Sequence, residues 1–169
     1  MLRKIVLMGD PVLREEATEV EEITDEVRKL VQDMFETMYH AEGVGLAAPQ
    51  IGISKRIFVV DVRDEEDSVG GRYALINPEI VAFSKEVERS TEGCLSIPGL
   101  EEVVERPSAV RVKALDVDGN PIEVEGDELL GRALQHEFDH LNGVLFLDRI
   151  SPLKRRLAIK KWQKLQAEE

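Results

Sequence analysis

The segment QHEFDHLNG, residues 135–143, places the strongest constraint on the fold of this 169-residue chain. His136 and His140 are four residues apart, and on an α-helix this spacing puts both on one face with Cβ atoms about 5–6 Å apart. Both imidazoles can then reach one metal ion, and Glu137 lies at the edge of that face, near a water bound to the ion. The segment therefore predicts a helix that carries a hydrolytic metal site and ends at Gly143.

Two histidines do not complete a catalytic metal site, so a third ligand must come from elsewhere in the chain. The only carboxylates after His140 are Asp148 and the terminal pair Glu168 and Glu169, and neither His nor Cys follows. The single cysteine, Cys94, lies upstream in TEGCLSIPG, among glycines and before a proline. A lone cysteine is more often an inert buried thiol, but a thiolate is also a strong metal ligand, which favours Cys94 without excluding the other candidates.

Composition narrows the class of protein. A hydrophobic content of 43% with 33% charged residues fits one soluble globular domain over residues 1–169. The net charge of −12 argues against general nucleic-acid binding, because phosphates would be repelled. The first apolar run is too short for a signal sequence, and no run approaches the roughly 20 apolar residues of a membrane span. We therefore expect a cytoplasmic protein that binds no membrane.

Apolar periodicity and capping residues predict three helices. The first runs from Asp25 to about Ala41, with Thr24 as its N-cap. The second carries the two histidines and is expected from about Gly126 or Asp127 to Asn142. After a short extended run over 143–150, Ser151 and Pro152 open a basic C-terminal helix at about 152–167.

Extended segments lie between the first two helices. Strand character is read in four segments: RIFVVDVR (56–63), YALINPEIVAF (73–83), PSAVRVKALD (107–116) and PIEVEG (121–126). The glycine-rich segment 43–52 is interpreted as a loop, and the acidic segment 64–71 as a solvated hairpin turn. The order of elements predicts an α+β fold, with mixed or antiparallel β-sheets packed around a central metal-binding helix and with an N-terminal and a C-terminal helix.

Three segments in the same order and spacing resemble the signature motifs of the bacterial peptide deformylases: GVGLAAPQ (43–50), EGCLS (92–96) and HEFDH (136–140). The resemblance covers essentially the whole chain. It implies a metal held by three residues and one water: Cys94, His136 and His140. The metal implied is Fe²⁺, which zinc, nickel or cobalt can replace, and an iron–thiolate site is expected to be sensitive to oxygen.

The resemblance also implies the reaction. Members of the family hydrolyse the formyl group from the N-terminal formyl-methionine of newly synthesised polypeptides and release formate. The metal-bound water would be the nucleophile, and Glu137 would accept its proton and then deliver it to the departing amine. The side-chain amide of Gln50 and the backbone N–H of Leu95 would stabilise the charge on the former carbonyl oxygen.

Substrate contacts are predicted around the same motifs. Gly43 and Gly45 would let the backbone approach an extended peptide, which pairs with it as an added strand. Glu92 is expected to orient the site or to bind a ligand by hydrogen bonding. An apolar pocket for the methionine side chain is assigned to three residues: Val44, Leu129 and Ala133.

Some residues do not fit this pattern directly. Arg132 lies on the face of His136, where an apolar residue is easier to explain, so the rim of the pocket is expected to differ. After CLSIPG, Glu101 and Glu102 lie where some bacterial relatives carry an arginine, which leaves the contact with the peptide's downstream end open. His40 is interpreted as a helix-end residue, and Gln135 as a support of the metal site.

The last segment of the chain is basic. Residues 151–169 carry six basic and two acidic side chains, a net of +4, against −16 for the remainder. Four residues could form an apolar stripe on this helix, either packed on the domain or docked on a partner: Leu153, Leu157, Trp162 and Leu165. In bacterial deformylases the corresponding helix is associated with ribosome binding, so we expect the same partner here.

Two other functions share part of the pattern. A metallopeptidase would use the same His-Glu-x-x-His segment, but its usual downstream ligand is missing and Cys94 would have no role. A non-catalytic metal-stabilised module would need a closed fourth position, supplied by His40 or another side chain.

Overall fold

The computed structural model describes residues 1–62 and 71–168, and these form three α-helices and seven β-strands. The helices are α1 (Asp25–His40), α2 (Glu128–Leu141) and α3 (Pro152–Ala167). The strands are β1 (Gly45–Ala47), β2 (Ile57–Asp61), β3 (Arg72–Phe83), β4 (Val87–Gly93), β5 (Glu101–Pro107), β6 (Ala109–Leu115) and β7 (Pro121–Asp127). The turn expected at 64–71 lies outside the described residues, apart from Gly71.

The strands form two sheets, and every strand pair in them is antiparallel. One sheet has five strands in the order β1-β2-β3-β6-β7, and the other is the β4–β5 hairpin. Helix α2, which carries His136 and His140, packs against four strands of the five-stranded sheet: β1, β2, β6 and β7. The predicted α+β class, with antiparallel sheets around a metal-binding helix, is confirmed. No helix in residues 1–62 or 71–168 has the length and apolar character needed to cross a membrane.

Helix α1 begins and packs as its sequence predicts. The Thr24 side chain accepts a hydrogen bond from the Val27 N–H, which satisfies one of the free donors of the first turn. Leu30, Met34 and Met38 lie on one helix face and are buried against β1 and β2. This packing supports the short edge strand β1, which borders the metal site.

Helix α3 packs through only part of its predicted apolar stripe. Trp162 and Ala158 are buried with Ile97 and Phe146 in a cluster next to the loop that follows Cys94. Leu153 and Leu157 are instead 61% and 58% exposed. The predicted continuous stripe is therefore wrong, because these two leucines lie on the side of α3 away from Trp162.

Several boundaries differ from the predictions. Gly126 belongs to β7, and α2 begins at Glu128, because this strand pairs with β6 as far as Asp127. The segment 43–52 is only partly a loop, since it contains β1 and a 3₁₀-helix over Ala48–Ile51. The run at 143–150 contains a 3₁₀-helix over Phe146–Arg149 instead of being extended throughout. The hairpin β4–β5 was not predicted.

Candidate metal centre

Three side chains converge at the cavity that α2 borders. Their ligand atoms, the Sγ of Cys94 and one nitrogen each from His136 and His140, all lie within 4.8 Å of one another. The two Nε2 atoms are 3.2 Å apart, and the Sγ is 3.4 Å from the Nε2 of His140. Donors at these separations can bind one ion at metal–ligand distances near 2.0–2.3 Å. Cys94, His136 and His140 therefore form the metal site, as the sequence predicted.

Two structural elements bring these ligands together. His136 and His140 lie one turn apart on α2, and Cys94 follows directly after the last residue of β4. Gly143 ends the helix region with φ +71°, and the space where a Cβ would lie is filled by the Arg14 carbonyl oxygen at 2.7 Å. This close approach requires glycine, and it ties the end of α2 to the N-terminal segment.

Glu92 orients one of the histidines. Its carboxylate accepts a hydrogen bond of 3.0 Å from Nδ1 of His136, which leaves Nε2 directed to the other ligands. Arg106 donates to both Glu92 oxygens at 2.6 and 3.0 Å, and Arg132 donates to one of them at 2.6 Å. Burial disfavours the charged form of Glu92, but the hydrogen bonds from His136 and Arg106 outweigh it and lower its pKa to about 2.

The electrostatics of the two histidines differ. Burial acts against a charge on either ring, but Glu137, Cys94 and Glu92 outweigh it at His136 and raise its pKa well above the usual value. Burial and the neighbouring positive charge of His136 both lower the pKa of His140. The lowered pKa favours the neutral form of His140, which is the form of imidazole that binds a metal.

Glu137 is buried beside the ligands. Burial raises its pKa to about 7, against the opposing effect of His136. In the described ranges its Oε1 atom is buried and has no hydrogen-bond partner. A Cβ added to Gly45 would lie 2.5 Å from its Oε2 atom, so the glycine makes room for this carboxylate. Glu137 is therefore a carboxyl group that ionises near neutral pH and whose Oε1 atom is not engaged in a hydrogen bond within the described residues.

Gln50 is held next to the metal ligands. Its side-chain oxygen accepts from the Ala47 N–H at 2.9 Å, which turns its NH₂ group toward the Cys94 sulfur, 3.5 Å away, and the Ser96 hydroxyl, 3.2 Å away. The backbone N–H of Leu95 donates to no protein acceptor in residues 1–62 and 71–168. Two donors, the Gln50 amide and the Leu95 N–H, are therefore present beside the metal site.

The metal site opens into a cavity of about 730 Å³. Every substrate-binding residue predicted from the sequence lines it: Gly43, Val44, Gly45, Glu92, Leu129 and Ala133. Ala133 is buried, whereas Val44 and Leu129 are about half exposed, so the apolar part of the cavity is open to solvent. A Cβ added to Gly43 would lie 2.7 Å from Leu95 Cδ1. Gly43 and Gly45 are therefore needed for the close packing of Leu95 and Glu137 within the site, in addition to the predicted approach of a peptide.

Arg132 lines the cavity, but its guanidinium group is paired within the protein. It is buried, and it donates to Glu92 and to the carbonyl oxygens of Val104 and Glu88. Gln135 does not support the metal site, because its NH₂ group donates to the carbonyl oxygens of Pro107 and Gly131. His40 is exposed at the last residue of α1 and is absent from the group of ligand atoms.

Four further residues of the site were missed by sequence reasoning. Arg106 binds both Glu92 and Asp139, and Asp139 in turn accepts from Arg149. In β5 buried and exposed side chains alternate, and Val104 and Arg106 both lie on the buried side. A charged residue at a position where the alternation predicts an apolar one is the only sequence feature that indicates a role for Arg106. Lys161 of α3 also lines the cavity, and no motif indicates this.

The chain matches one protein family in sequence and in structure. The family model for polypeptide deformylase matches residues 2–156. The chain is 51% identical over 166 residues to the peptide deformylase of Acidobacterium capsulatum, covering 98% of this chain and 96% of that protein. It is 50% identical over 164 residues to that of Rhodopseudomonas palustris, covering 96% and 94%.

Solved structures agree with these sequence matches. The crystal structure of peptide deformylase from Ehrlichia chaffeensis superimposes with a TM-score of 0.92 at 43% identity, covering 99% of this chain and 98% of that one. A crystal structure of peptide deformylase from Ehrlichia chaffeensis in complex with actinonin gives a TM-score of 0.90 at 45% identity, with 96% of each chain covered. Since the family match, the identities and the metal site agree, the chain belongs to the polypeptide deformylase family of metal-binding hydrolases.

Proposed function

We propose that this chain hydrolyses the formyl group from the N-terminal formyl-methionine of newly synthesised polypeptides and releases formate, with residues 1–169 acting as one catalytic domain. One observation carries the proposal: the sulfur of Cys94 and two buried imidazoles lie beside a carboxyl group whose Oε1 atom has no hydrogen-bond partner among the described residues. This combination supplies a metal site and a proton acceptor at the bottom of one open cavity.

Cys94, His136 and His140 would hold the metal. Imidazole and thiolate donors suit borderline first-row metals, and we propose Fe²⁺, with zinc, nickel or cobalt able to replace it. When bound, such a metal lowers the pKa of the attacking water and polarises the formyl carbonyl.

Glu137 would move the proton. Its Oε1 atom accepts a proton from the water as the water oxygen attacks the formyl carbon, and the carboxyl group then delivers it to the amide nitrogen as the C–N bond breaks. The products are formate and the free amine of methionine. A pKa of about 7 suits both steps, because the carboxylate must gain a proton and then lose it near neutral pH.

Two donors would stabilise the oxygen that becomes negative. The NH₂ group of Gln50 is held in place by the Ala47 N–H, and the Leu95 N–H has no protein acceptor among the described residues. Loss of one such donor typically costs about 3–4 kcal/mol of transition-state stabilisation.

The substrate would pair with the edge of the sheet. Strand β1 is the terminal strand of the five-stranded sheet and, within residues 1–62 and 71–168, pairs with β2 alone, so its other edge would accept an extended peptide. Gly43 and Gly45, which line the cavity, would let the peptide backbone come close, and the methionine side chain would occupy the apolar part of the cavity beside Val44, Leu129 and Ala133.

A formate-release assay tests this function. Metal-loaded protein, assayed anaerobically with formyl-Met-Ala-Ser, should release formate, and Glu137→Gln should lower kcat about 10²–10⁴-fold with unchanged metal content. Cleavage of a peptide bond by the wild-type protein would favour a metallopeptidase instead. Absence of any turnover by the metal-loaded protein would contradict the proposed reaction.

We further propose that the protein acts in the cytoplasm and docks on the ribosome through α3. Leu153 and Leu157 are exposed on the side of α3 away from its packed face, alongside basic residues, in a segment of net charge +4. Truncation of α3 would remove the buried Trp162, so the test uses the full chain with Leu153→Ser and Leu157→Ser. Weaker co-sedimentation with ribosomes, at unchanged thermal stability, is the expected result, and unchanged co-sedimentation would exclude docking through this surface.

A further inference from the structure

Helix α3 contributes a charged residue to the cavity of the metal site. Lys161 lines this cavity, whereas all other residues that line it lie between Glu42 and Glu137 in the sequence. The C-terminal helix is therefore part of the wall of the cavity.

The packing of α3 directs Lys161 toward this cavity. Positions 158, 161, 162 and 165 share one helix face, since they follow the three- and four-residue steps of an α-helix. Ala158 and Trp162 are buried in the cluster with Ile97, and a Cβ added to Gly99 would lie 3.4 Å from Leu165 Cδ1. Lys161 thus lies at the edge of the packed face, beside the loop that follows Cys94.

Only a few charges face the outer part of the cavity. Glu92 and Arg132 also line it, but they are buried and paired with each other. Glu42, Glu101 and Lys161 are exposed. No carboxylate of residues 1–62 and 71–168 lies within ion-pair distance of the Lys161 ammonium group. Among the described residues Lys161 is therefore an unpaired positive charge in the cavity wall, together with the two exposed negative charges of Glu42 and Glu101.

We propose that Lys161 selects substrates by charge: it binds an acidic side chain downstream of the formyl-methionine, which Glu42 and Glu101 alone would repel. This inference rests on the proposed function, because a formyl group at the metal requires the rest of the peptide to leave through the outer part of the cavity. The interaction is between exposed charges, so it changes substrate affinity several-fold and is screened by salt. Lys161 does not touch the reacting atoms and is a specificity-determining residue.

Charge reversal with a matched control tests this role. Formate release is measured for wild type, Lys161→Glu and Lys160→Glu with three amidated peptides: formyl-Met-Ala-Asp, formyl-Met-Ala-Ala and formyl-Met-Ala-Lys. Both variants change the net charge equally, because each replaces a lysine by glutamate. Lys160 is exposed and does not line the cavity, so Lys160→Glu controls for the change in net charge. Lys161→Glu should lower kcat/KM for the Asp peptide relative to the Lys peptide by about tenfold, mainly through KM. Lys160→Glu should retain the wild-type ratio.

Salt provides a second readout. At about 1 M salt, where the Debye length is about 3 Å, the effect of Lys161→Glu should largely disappear. Equal changes of the ratio in both variants, or an unchanged ratio in Lys161→Glu, would overturn the inference while leaving deformylation intact. If wild-type protein released formate from none of the three peptides, the proposed function itself would fall.

Discussion

Replacement of Glu92 by glutamine tests the buried charge cluster that holds His136. Glu92 accepts four hydrogen bonds: two from Arg106, one from Arg132 and one from His136. Glutamine has one oxygen and one NH₂ group in place of two oxygens, so two of the four donors would face another donor. The substitution also removes the negative charge that compensates the two buried guanidinium groups.

The size of the effect follows from two considerations. The pKa of Glu92 is lowered from 4.5 to about 2, which corresponds to about 3 kcal/mol of unfolding free energy at neutral pH. Removing one partner of a buried ion pair typically costs about 3–5 kcal/mol. We therefore expect Glu92→Gln to lose about 3 kcal/mol, a large part of the roughly 5–15 kcal/mol that stabilises a domain.

Urea unfolding of the metal-free protein at several pH values measures this effect. The pKa of Glu92 in the folded protein lies below its unfolded value, so its contribution is complete above pH 4.5 and is lost as the pH falls toward 2. The difference in unfolding free energy between wild type and Glu92→Gln should therefore be largest at pH 7 and decrease below pH 4.5. Glu105→Gln, at an exposed position of the same hairpin, should cost less than about 1 kcal/mol.

Two results would refute this reasoning. One is a loss below about 1 kcal/mol in Glu92→Gln at pH 7, which would mean that the cluster reorganises without cost. The other is a difference from wild type that stays constant below pH 4.5. Metal affinity provides an independent check, since loss of a hydrogen-bond acceptor behind a ligating histidine typically weakens binding about 10–100-fold.

Three further predictions concern the site. Gly45→Ala would place a Cβ 2.5 Å from Glu137 Oε2, so kcat should fall about 100-fold. In the control Gly93→Ala the Cβ would meet nothing closer than 3.6 Å, so its kcat should stay within a few-fold of wild type. Equal kcat values in the two variants would contradict this. Gln50→Ala should lower kcat about 10²–10³-fold at constant metal content, and an unchanged kcat would exclude Gln50 as the donor. Removal of the metal by a chelator should abolish formate release and lower Tm, because the metal binds only the folded state. Addition of Fe²⁺ under anaerobic conditions should restore both. A Tm insensitive to the chelator would argue against the assigned ligand set.

Local signals in the sequence were sufficient to locate the three helices, but not the first residue of α2 or the packed face of α3. Thr24 and Ser151 act as N-caps in the structure, and the apolar stripe of α1 is the buried one. Such signals are reliable because capping and helical periodicity depend on residues only three or four positions apart. The metal ligands on α2 were predictable for the same reason.

The β4–β5 hairpin could not be predicted in the same way. Most side chains of β4 are exposed, and the sequence VERSTEG therefore lacks the alternation that marks a half-buried strand. The pairing of these strands depends on contacts between residues far apart in the chain. Two of the buried groups on this hairpin, Glu92 and Arg106, compensate each other, and neither identifies its partner through sequence spacing.

The sequence by itself determined the chemistry of this protein: a two-histidine helix turn with an adjacent carboxylate, one cysteine able to complete the metal site, and a family resemblance that covers the chain. The tertiary structure decided which groups orient and surround that chemistry. It buries Arg132 and Arg106 around Glu92, fills the space at Gly45 with Glu137, and brings Lys161 of α3 to the cavity. Ligand spacing within one helix turn is a local property, whereas charge compensation and cavity walls arise only when distant segments pack together.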